Sequence, residues 1–379
     1  MTAKLGQSHI TDILSPRKIT LLEPVRTHAS AMAGQKDPVL ITGATGFLGY
    51  LVLLEALKKH YNVRIAVRSE AKAQNVLETS SIKAMNLSKE QLSWVIVPDM
   101  AAPGAYDEAV KGVKYIIHVA SPIPTFGGPN PPPKDQYAAY FIEPAKAGDI
   151  GMLQSAAKEP SVKRVVLTSS TVAITPFEYY MGKGDPSRIF KASDRIDFDQ
   201  GPYDFEFQAY AAGKGAALKA AEAFVRDNRP QFDLIPIIPS WIFGRNELFT
   251  SAEDMKSEST NSVLLSFLTG FQNPLPYNGN MVLGSDAARI HVAALDQEIE
   301  GNRAYIASVA AEWEDAHGIL KERYAKAVAN GKLSLDGKQQ TLEMQVPSTE
   351  TEEVFGYKFQ PFEAMVNEVV GQYLELLDQ

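Results

Sequence analysis

The chain has no cysteine in 379 residues, which excludes disulfides, thiolate metal sites and cysteine nucleophiles together. No apolar run approaches the roughly 18 residues that a membrane span needs, so no membrane partner is expected. Basic residues are outnumbered, 37 Lys and Arg against 45 Asp and Glu for a net charge of −8. With a pI near 5.4, a nucleic-acid or anionic-membrane partner is not expected, since both call for a basic face. No spacing of histidines and carboxylates suits a metal, and none is expected. There is no apolar leader segment or cleavage signature at the start, so a secretory signal is not expected either. Lys4, Arg17, Lys18 and Arg26 face only Asp12 and Glu23 over the first 30 residues. Residues 1–37 therefore read as an N-terminal extension, with a cytoplasmic location expected and a mitochondrial presequence as the alternative.

What is present is ordinary globular composition, 45% hydrophobic and 22% charged, in a chain long enough to bury a sizeable core. Its organising stretch is 39–68, VLITGATGFLGYLVLLEALKKHYNVRIAVR. Val39, Leu40 and Ile41 have the length and flanks of a buried parallel strand. Gly43, Gly46 and Gly49 follow at once, and Leu51, Leu54 and Leu57 then recur at helical spacing. Strand, glycine turn, helix and second strand make a βαβ unit, whose turn brings backbone N–H groups and a helix N-terminus to a dinucleotide pyrophosphate. The second strand ends at Arg68, where a cofactor without a 2′-phosphate would meet an acid. A cation there, with Lys72 four residues on, favours NADP(H) over NAD(H).

Further strands read at 94–97, 115–119, 165–167, 234–238 and 304–307, with helix-length segments between them, for example 149–158 and 210–226. This alternation predicts an α/β fold, a doubly wound parallel sheet. The rhythm lapses over 247–276 and 312–345, and the proline-rich patch 127–134 reads as a loop beside the cleft. Residues 38–242 with about 284–310 are expected to form the dinucleotide-binding domain. Residues 243–283 with 311–379 are expected to form a smaller substrate lobe over the strand ends.

LTSSTVA at 167–173 closes the fifth strand, and Tyr210-Ala211-Ala212-Gly213-Lys214 opens a helix. Tyrosine and lysine four apart share a helical face. A free tyrosine titrates near pH ~10, and a neighbouring cation is expected to lower that value and ease proton transfer. A serine at the strand end can bond a carbonyl oxygen where charge develops. His118 is expected to be structural, because no carboxylate stands near it in sequence.

Together TGATGFLG at 42–49, VRS with Lys72, VPDM, HVASP, RVVLTSS and YAAGK resemble the extended short-chain dehydrogenases/reductases, of the epimerase/dehydratase superfamily with a Rossmann core. The resemblance is greatest to dihydroflavonol and cinnamoyl-CoA reductases and to fungal NADPH-dependent ketone and aldehyde reductases. It implies Ser170, Tyr210 and Lys214 as the catalytic set, with Tyr210 the proton donor and Lys214 also holding the nicotinamide ribose. It further implies a cofactor site of Thr42, Gly43, Thr45, Gly46, Phe47, Leu48, Gly49, Arg68, Lys72, Asp99, Met100, Ala120, Ser121 and Pro239. The family's usual serine before the lysine is Gly213 here. Ile123, Phe126, Phe177, Tyr203 and Trp241, placed after strand ends, are expected to line a pocket for a small apolar or aromatic carbonyl substrate. A monomer or homodimer is expected. The alternatives are an NAD-dependent nucleotide-sugar epimerase or dehydratase, against which Arg68 counts, and a non-catalytic NADP-binding sensor, against which the retained Tyr and Lys count.

Overall fold

The computed structural model describes residues 1–2, 37–124, 131–198, 201–257 and 259–378. The chain divides into two units, 1–34 and 35–379, and every element named here belongs to the second. Nearly all of the expected N-terminal extension lies outside the described residues, as do Phe126 and positions 127–130 of the proline-rich patch.

The first half alternates strands and helices as their apolar periods require. In order they are β1 (Pro38–Thr42), α1 (Phe47–Lys58), β2 (Asn62–Val67), α2 (Glu70–Leu77), α3 (Ser80–Met85), β3 (Leu92–Ile96) and β4 (Tyr115–His118). A π-helical stretch, Ala138–Ile142, leads into α4 (Glu143–Lys158), followed by β5 (Arg164–Thr168), α5 (Phe177–Tyr180), α6 (Glu206–Asn228) and β6 (Asp233–Pro239). The remainder is built of shorter pieces. These are β7 (Trp241–Phe243), α7 (Ala252–Met255), α8 (Thr260–Leu268), β8 (Tyr277–Asn278), β9 (Asn280–Leu283), α9 (Gly284–Ala293), β10 (Tyr305–Ala307) and β11 (Val309–Ala310). The chain closes with α10 (Asp315–Arg323), α11 (Ala325–Ala329), β12 (Thr341–Leu342), α12 (Thr349–Phe355) and α13 (Phe362–Leu377).

Seven strands form one parallel sheet in the order β10-β6-β5-β4-β1-β2-β3. All seven were expected from sequence, and the chain reverses its direction of winding between β1 and β4. Strands of such a sheet are buried on both faces and read as continuous apolar runs, as Val39, Leu40, Ile41, Ile116, Ile117, Val165 and Val166 do. On one face α1 and α9 pack through Tyr50, Leu53, Ala287 and Ile290. On the other α4 and α6 close over Met152, Leu153 and Ala221. The segments where the rhythm lapsed hold the short helices α7, α8, α10 and α11, and a small sheet, β11-β9-β7, is built from residues that border them. They share an apolar cluster of their own around Trp313, Phe243, Leu264 and Val369. Those short strands were not legible in sequence, because two to four residues give too little alternation to count.

Two buried polar residues tie the sheet to its surroundings. Arg164 at the start of β5 directs all five N–H groups to acceptors: both carboxylate oxygens of Asp233 at 2.7 and 2.9 Å, and the carbonyls of Ala294, Asp296 and Ile299. At the other end of the strand, His291 Nδ1 donates to the Ala287 carbonyl at 2.7 Å and Nε2 accepts from Thr168 Oγ1 at 2.9 Å. Burial pulls this imidazole down to about 4, with the Ala287 carbonyl opposing. The unfolded chain therefore takes up the proton first, and this group erodes stability as pH falls from about 6.5 toward 4. Urea midpoints measured across that window should fall with pH, by up to ~3 kcal/mol from this residue, and His291→Gln should flatten the dependence.

Candidate active site

Where the winding reverses, β1 and β4 end side by side with Thr42 opposite His118. Thr42 Oγ1 accepts from the backbone N–H groups of Val119 and Ala120, each at 3.1 Å. Its own hydrogen is left for His118 Nδ1 at 2.9 Å. The imidazole then carries its proton on Nε2, facing Asp149 Oδ1 at 3.5 Å. No carboxylate stands near His118 in sequence, and the acid that faces it comes from α4, thirty-one positions on.

The glycines of the turn answer to different neighbours. Gly43 has φ +75°, and a Cβ there would stand 2.8 Å from Ala120 N; one on Gly49 would stand 2.0 Å from Gly43 O. Both are required by the protein itself. A Cβ on Gly46 would meet only Gly43 O, at 3.5 Å, so the space it leaves fits a group from outside. Gly46 also begins α1 with no side-chain cap, and the free amides of that first turn suit a pyrophosphate.

Beyond β2, Arg68 and Lys72 are exposed and line the same cleft, and neither enters an ion pair among the described residues. Ser69 caps α2 by accepting from Lys72 N at 3.4 Å. Glu70, the acid between them in sequence, is held by Trp94 Nε1 at 2.9 Å and Gln74 Nε2 at 3.2 Å. A 2′-phosphate fits this cationic corner. Asp99 Oδ1 accepts from Ala101 N at 2.9 Å.

At the end of β5, Ser170 caps a short turn with its hydroxyl, which accepts from Val172 N at 3.4 Å. Lys214 is buried, with its Nζ donating to the Thr168 carbonyl at 3.2 Å. Burial pushes the Tyr210 phenol up to about 12, against the Ser170 hydroxyl. Burial also lowers Lys214, and the Asp149 carboxylate opposes it. The expectation that Lys214 lowers the Tyr210 pKa is therefore not met in this geometry: desolvation dominates, and the ammonium is turned to Thr168.

One cleft of about 1230 Å³ joins these parts. Its lining includes every residue of the expected cofactor site, from Thr42 to Pro239, together with Ser170, Tyr210, Lys214, Ile123 and Trp241. Two pocket expectations are corrected. Tyr203 is buried in a cluster with Phe141, Ala209 and Ala212, because the chain before α6 folds inward. Phe177 stacks on Phe205 at a ring distance of 6.4 Å, lies tilted to Phe207 at 6.3 Å and does not line the cleft. Sequence reading missed Tyr140, Phe207 and Phe249, which do line it. The signal for Phe207 was its place one turn before Tyr210; Tyr140 gave none, since it depends on the π-helical stretch.

That stretch also explains Gly213. A Cβ there would lie 2.6 Å from the Phe141 carbonyl oxygen, so the absent side chain admits the π-helical backbone against α6. Phe141 in turn meets Tyr210 edge-on at 6.5 Å. Among the described residues no cluster could hold a metal ion, and no helix is long and apolar enough to cross a membrane.

A parallel sheet in this order, with a glycine turn at its winding reversal, is the architecture of the dinucleotide-binding α/β proteins. Residues 39–307 match the NAD dependent epimerase/dehydratase family, and the chain belongs to that family. It is 38% identical to the ketoreductase CTB6 of Cercospora nicotianae over 89% of this chain and 95% of that one. It is 31% identical to the ketoreductase sphI of Aspergillus fumigatus over 89% and 97%. Among solved structures it resembles the yeast methylglyoxal/isovaleraldehyde reductase Gre2 complexed with NADPH. That likeness has TM-score 0.75 and 26% identity, covering 90% of this chain and 99% of the other.

Gly213→Ala should cost about 1–3 kcal/mol in chemical denaturation, because the clash with Phe141 outweighs the ~1 kcal/mol that alanine gains over glycine within a helix. A stabilised variant would show that the π-helical stretch is free to withdraw.

Proposed function

We propose that this chain is an NADPH-dependent carbonyl reductase that converts a ketone or aldehyde to an alcohol. The observation that carries the reading is the meeting of Ser170, Tyr210 and Lys214 in the wall of the cleft whose other end is the glycine turn. Bound NADPH supplies the hydride. The turn from Gly43 to Gly49 receives the pyrophosphate at the α1 N-terminus, and Arg68 with Lys72 grips the 2′-phosphate. Asp99 and Met100 take the adenine, Ala120, Ser121 and Pro239 border the nicotinamide, and Lys214 holds its ribose hydroxyls.

Ser170 donates to the substrate carbonyl oxygen and so favours the charge that builds there. Tyr210 is the proton donor. With a pKa of about 12 it stays protonated at neutral pH and remains more acidic than the alcohol that the alkoxide becomes. The ketoreductase names of CTB6 and sphI and the NADPH of the Gre2 complex support this assignment. Ile123, Tyr140, Phe207, Trp241 and Phe249 form walls suited to a flat, apolar or aromatic carbonyl compound. In this reading residues 38–242 with about 284–310 hold the cofactor, and 243–283 with 311–379 close over the substrate.

Tyr210→Phe should lower NADPH oxidation on aryl ketones or aldehydes by about 10²–10⁴-fold, while fluorescence titration shows NADPH still bound. Turnover equal to the parent's would overturn the mechanism. Replacing Arg68 by Ser and Lys72 by Ala together should raise the NADPH dissociation constant about 10- to 100-fold and change that of NADH little.

A further inference from the structure

Between β7 and α7 the chain has no regular structure, yet it forms one wall of the cleft through Asn246, Leu248, Phe249 and Thr250. This segment spans the joint between two apolar cores. Leu248 packs against the cluster that holds Tyr50, Leu53 and Ile290, and Phe249 against the one around Trp313 and Phe243. A wall without helix or strand bonds of its own has to be fixed by partners from elsewhere. On one side α13 supplies them. Gln372 accepts from Asn246 N at 2.9 Å and donates to the Asn246 carbonyl at 2.7 Å, and Glu368 accepts from Arg245 N at 3.0 Å. Further on, Asp254 Oδ2 accepts from Thr250 N and Ser251 N, each at 2.9 Å, and closes the turn into α7.

On the opposite side, among the described residues, the polar contacts of this segment with α1 and α3 are those of Glu247. Its Oε2 accepts from Tyr50 Oη and from Ser81 N, both at 3.0 Å, and its Oε1 accepts from Ser81 Oγ. Hydrogen bonds to a carboxylate are stronger than neutral ones, and here one partly buried side chain collects three. The donors belong to the cofactor side. Tyr50 is a fully buried residue of α1, the helix whose first-turn amides suit the pyrophosphate. Ser81 stands in the first turn of α3, whose Ile82 shares the core with Val76 of α2. From α2, Lys72 and Asn75 line the cleft. Glu247 therefore joins a wall of the cleft to α1 directly and to α2 through α3.

We propose that Glu247 is a positioning residue of the NADPH site: by fastening the wall between β7 and α7 to α1 and α3, it sets how firmly the cleft retains the dinucleotide and links that retention to the substrate side of the same wall. With the fastening removed, the wall has to be ordered each time the cofactor binds, and that ordering is charged against affinity. The hold on NADPH stands on the cofactor assignment, whereas the effect on substrate rests on the carbonyl-reductase reading.

The test is Glu247→Gln in the full chain, which keeps the size of the side chain and removes its charge. NADPH release is followed by stopped-flow fluorescence after a chase with excess NADP⁺, and the dissociation constant by fluorescence titration. Release should be about 5- to 20-fold faster with the association rate little changed, so the dissociation constant should rise by the same factor. Ser81→Ala, which removes one of the three donors, should shift both in the same direction by less. The two changes together should cost less than the sum of their separate effects, because they break one shared contact. At saturating NADPH the KM for an aryl ketone should rise more than kcat falls. A merely structural role would lower the urea midpoint of Glu247→Gln and leave NADPH release and affinity at the parent's values, and that result overturns the proposal. Should Glu247→Gln fail to fold, Ser81→Ala leaves Tyr50 and Ser81 N on the carboxylate and is read in the same way. A parent chain that binds NADPH and reduces no carbonyl compound would count against the functional reading alone, because release is measured without turnover.

Discussion

The hydroxyl of Thr42 is the interaction on which the rest of the site depends. It joins β1 to the end of β4 at the one place where the sheet reverses its winding, accepting from Val119 and Ala120 while donating to His118. A parallel sheet opens a crevice there because the connections from adjacent strands leave in opposite directions. With those strand ends tied, the glycine turn on one side and the segment from Ala120 to Ile123 on the other become fixed walls. The free amides at the start of α1 then point into a space that the protein itself does not need.

Two demands compete within that crevice. Hydride transfer needs water excluded, and exclusion penalises every charged form: it raises Tyr210 and lowers Lys214, as burial under the end of β5 lowers His291. The protein meets the penalty with specific partners. Ser170 opposes it at Tyr210 and Asp149 opposes it at Lys214, whereas His291 has only carbonyl and hydroxyl partners and yields to burial. The same low-dielectric setting strengthens each remaining polar contact, so a small number of hydrogen bonds governs the chemistry.

Much of this was legible in the order of residues. Seven parallel strands followed from apolar runs bounded by turns. The cleft residues Gly43, Gly46, Gly49 and Arg68 were named from the glycine turn and the end of the second strand, and the proposed catalytic residues from TSS and the four-residue spacing of Tyr210 and Lys214. Local patterns of this kind survive because period, spacing and residue type are set within a few positions. The pocket was less legible. Ile123 and Trp241 stand in the cleft, but Phe177 turns to its aromatic neighbours and Tyr203 turns inward, since placement after a strand end does not decide which way a loop folds.

The sequence by itself determined the sheet, the dinucleotide turn and the cationic corner, each through residues close together in the chain. Only the tertiary structure decided which glycine is open to a ligand, why position 213 carries no side chain, and that an acid on α4 faces His118. Those three facts depend on distances between elements far apart in the chain. Packing sets such distances to within tenths of an ångström, and no local pattern records them.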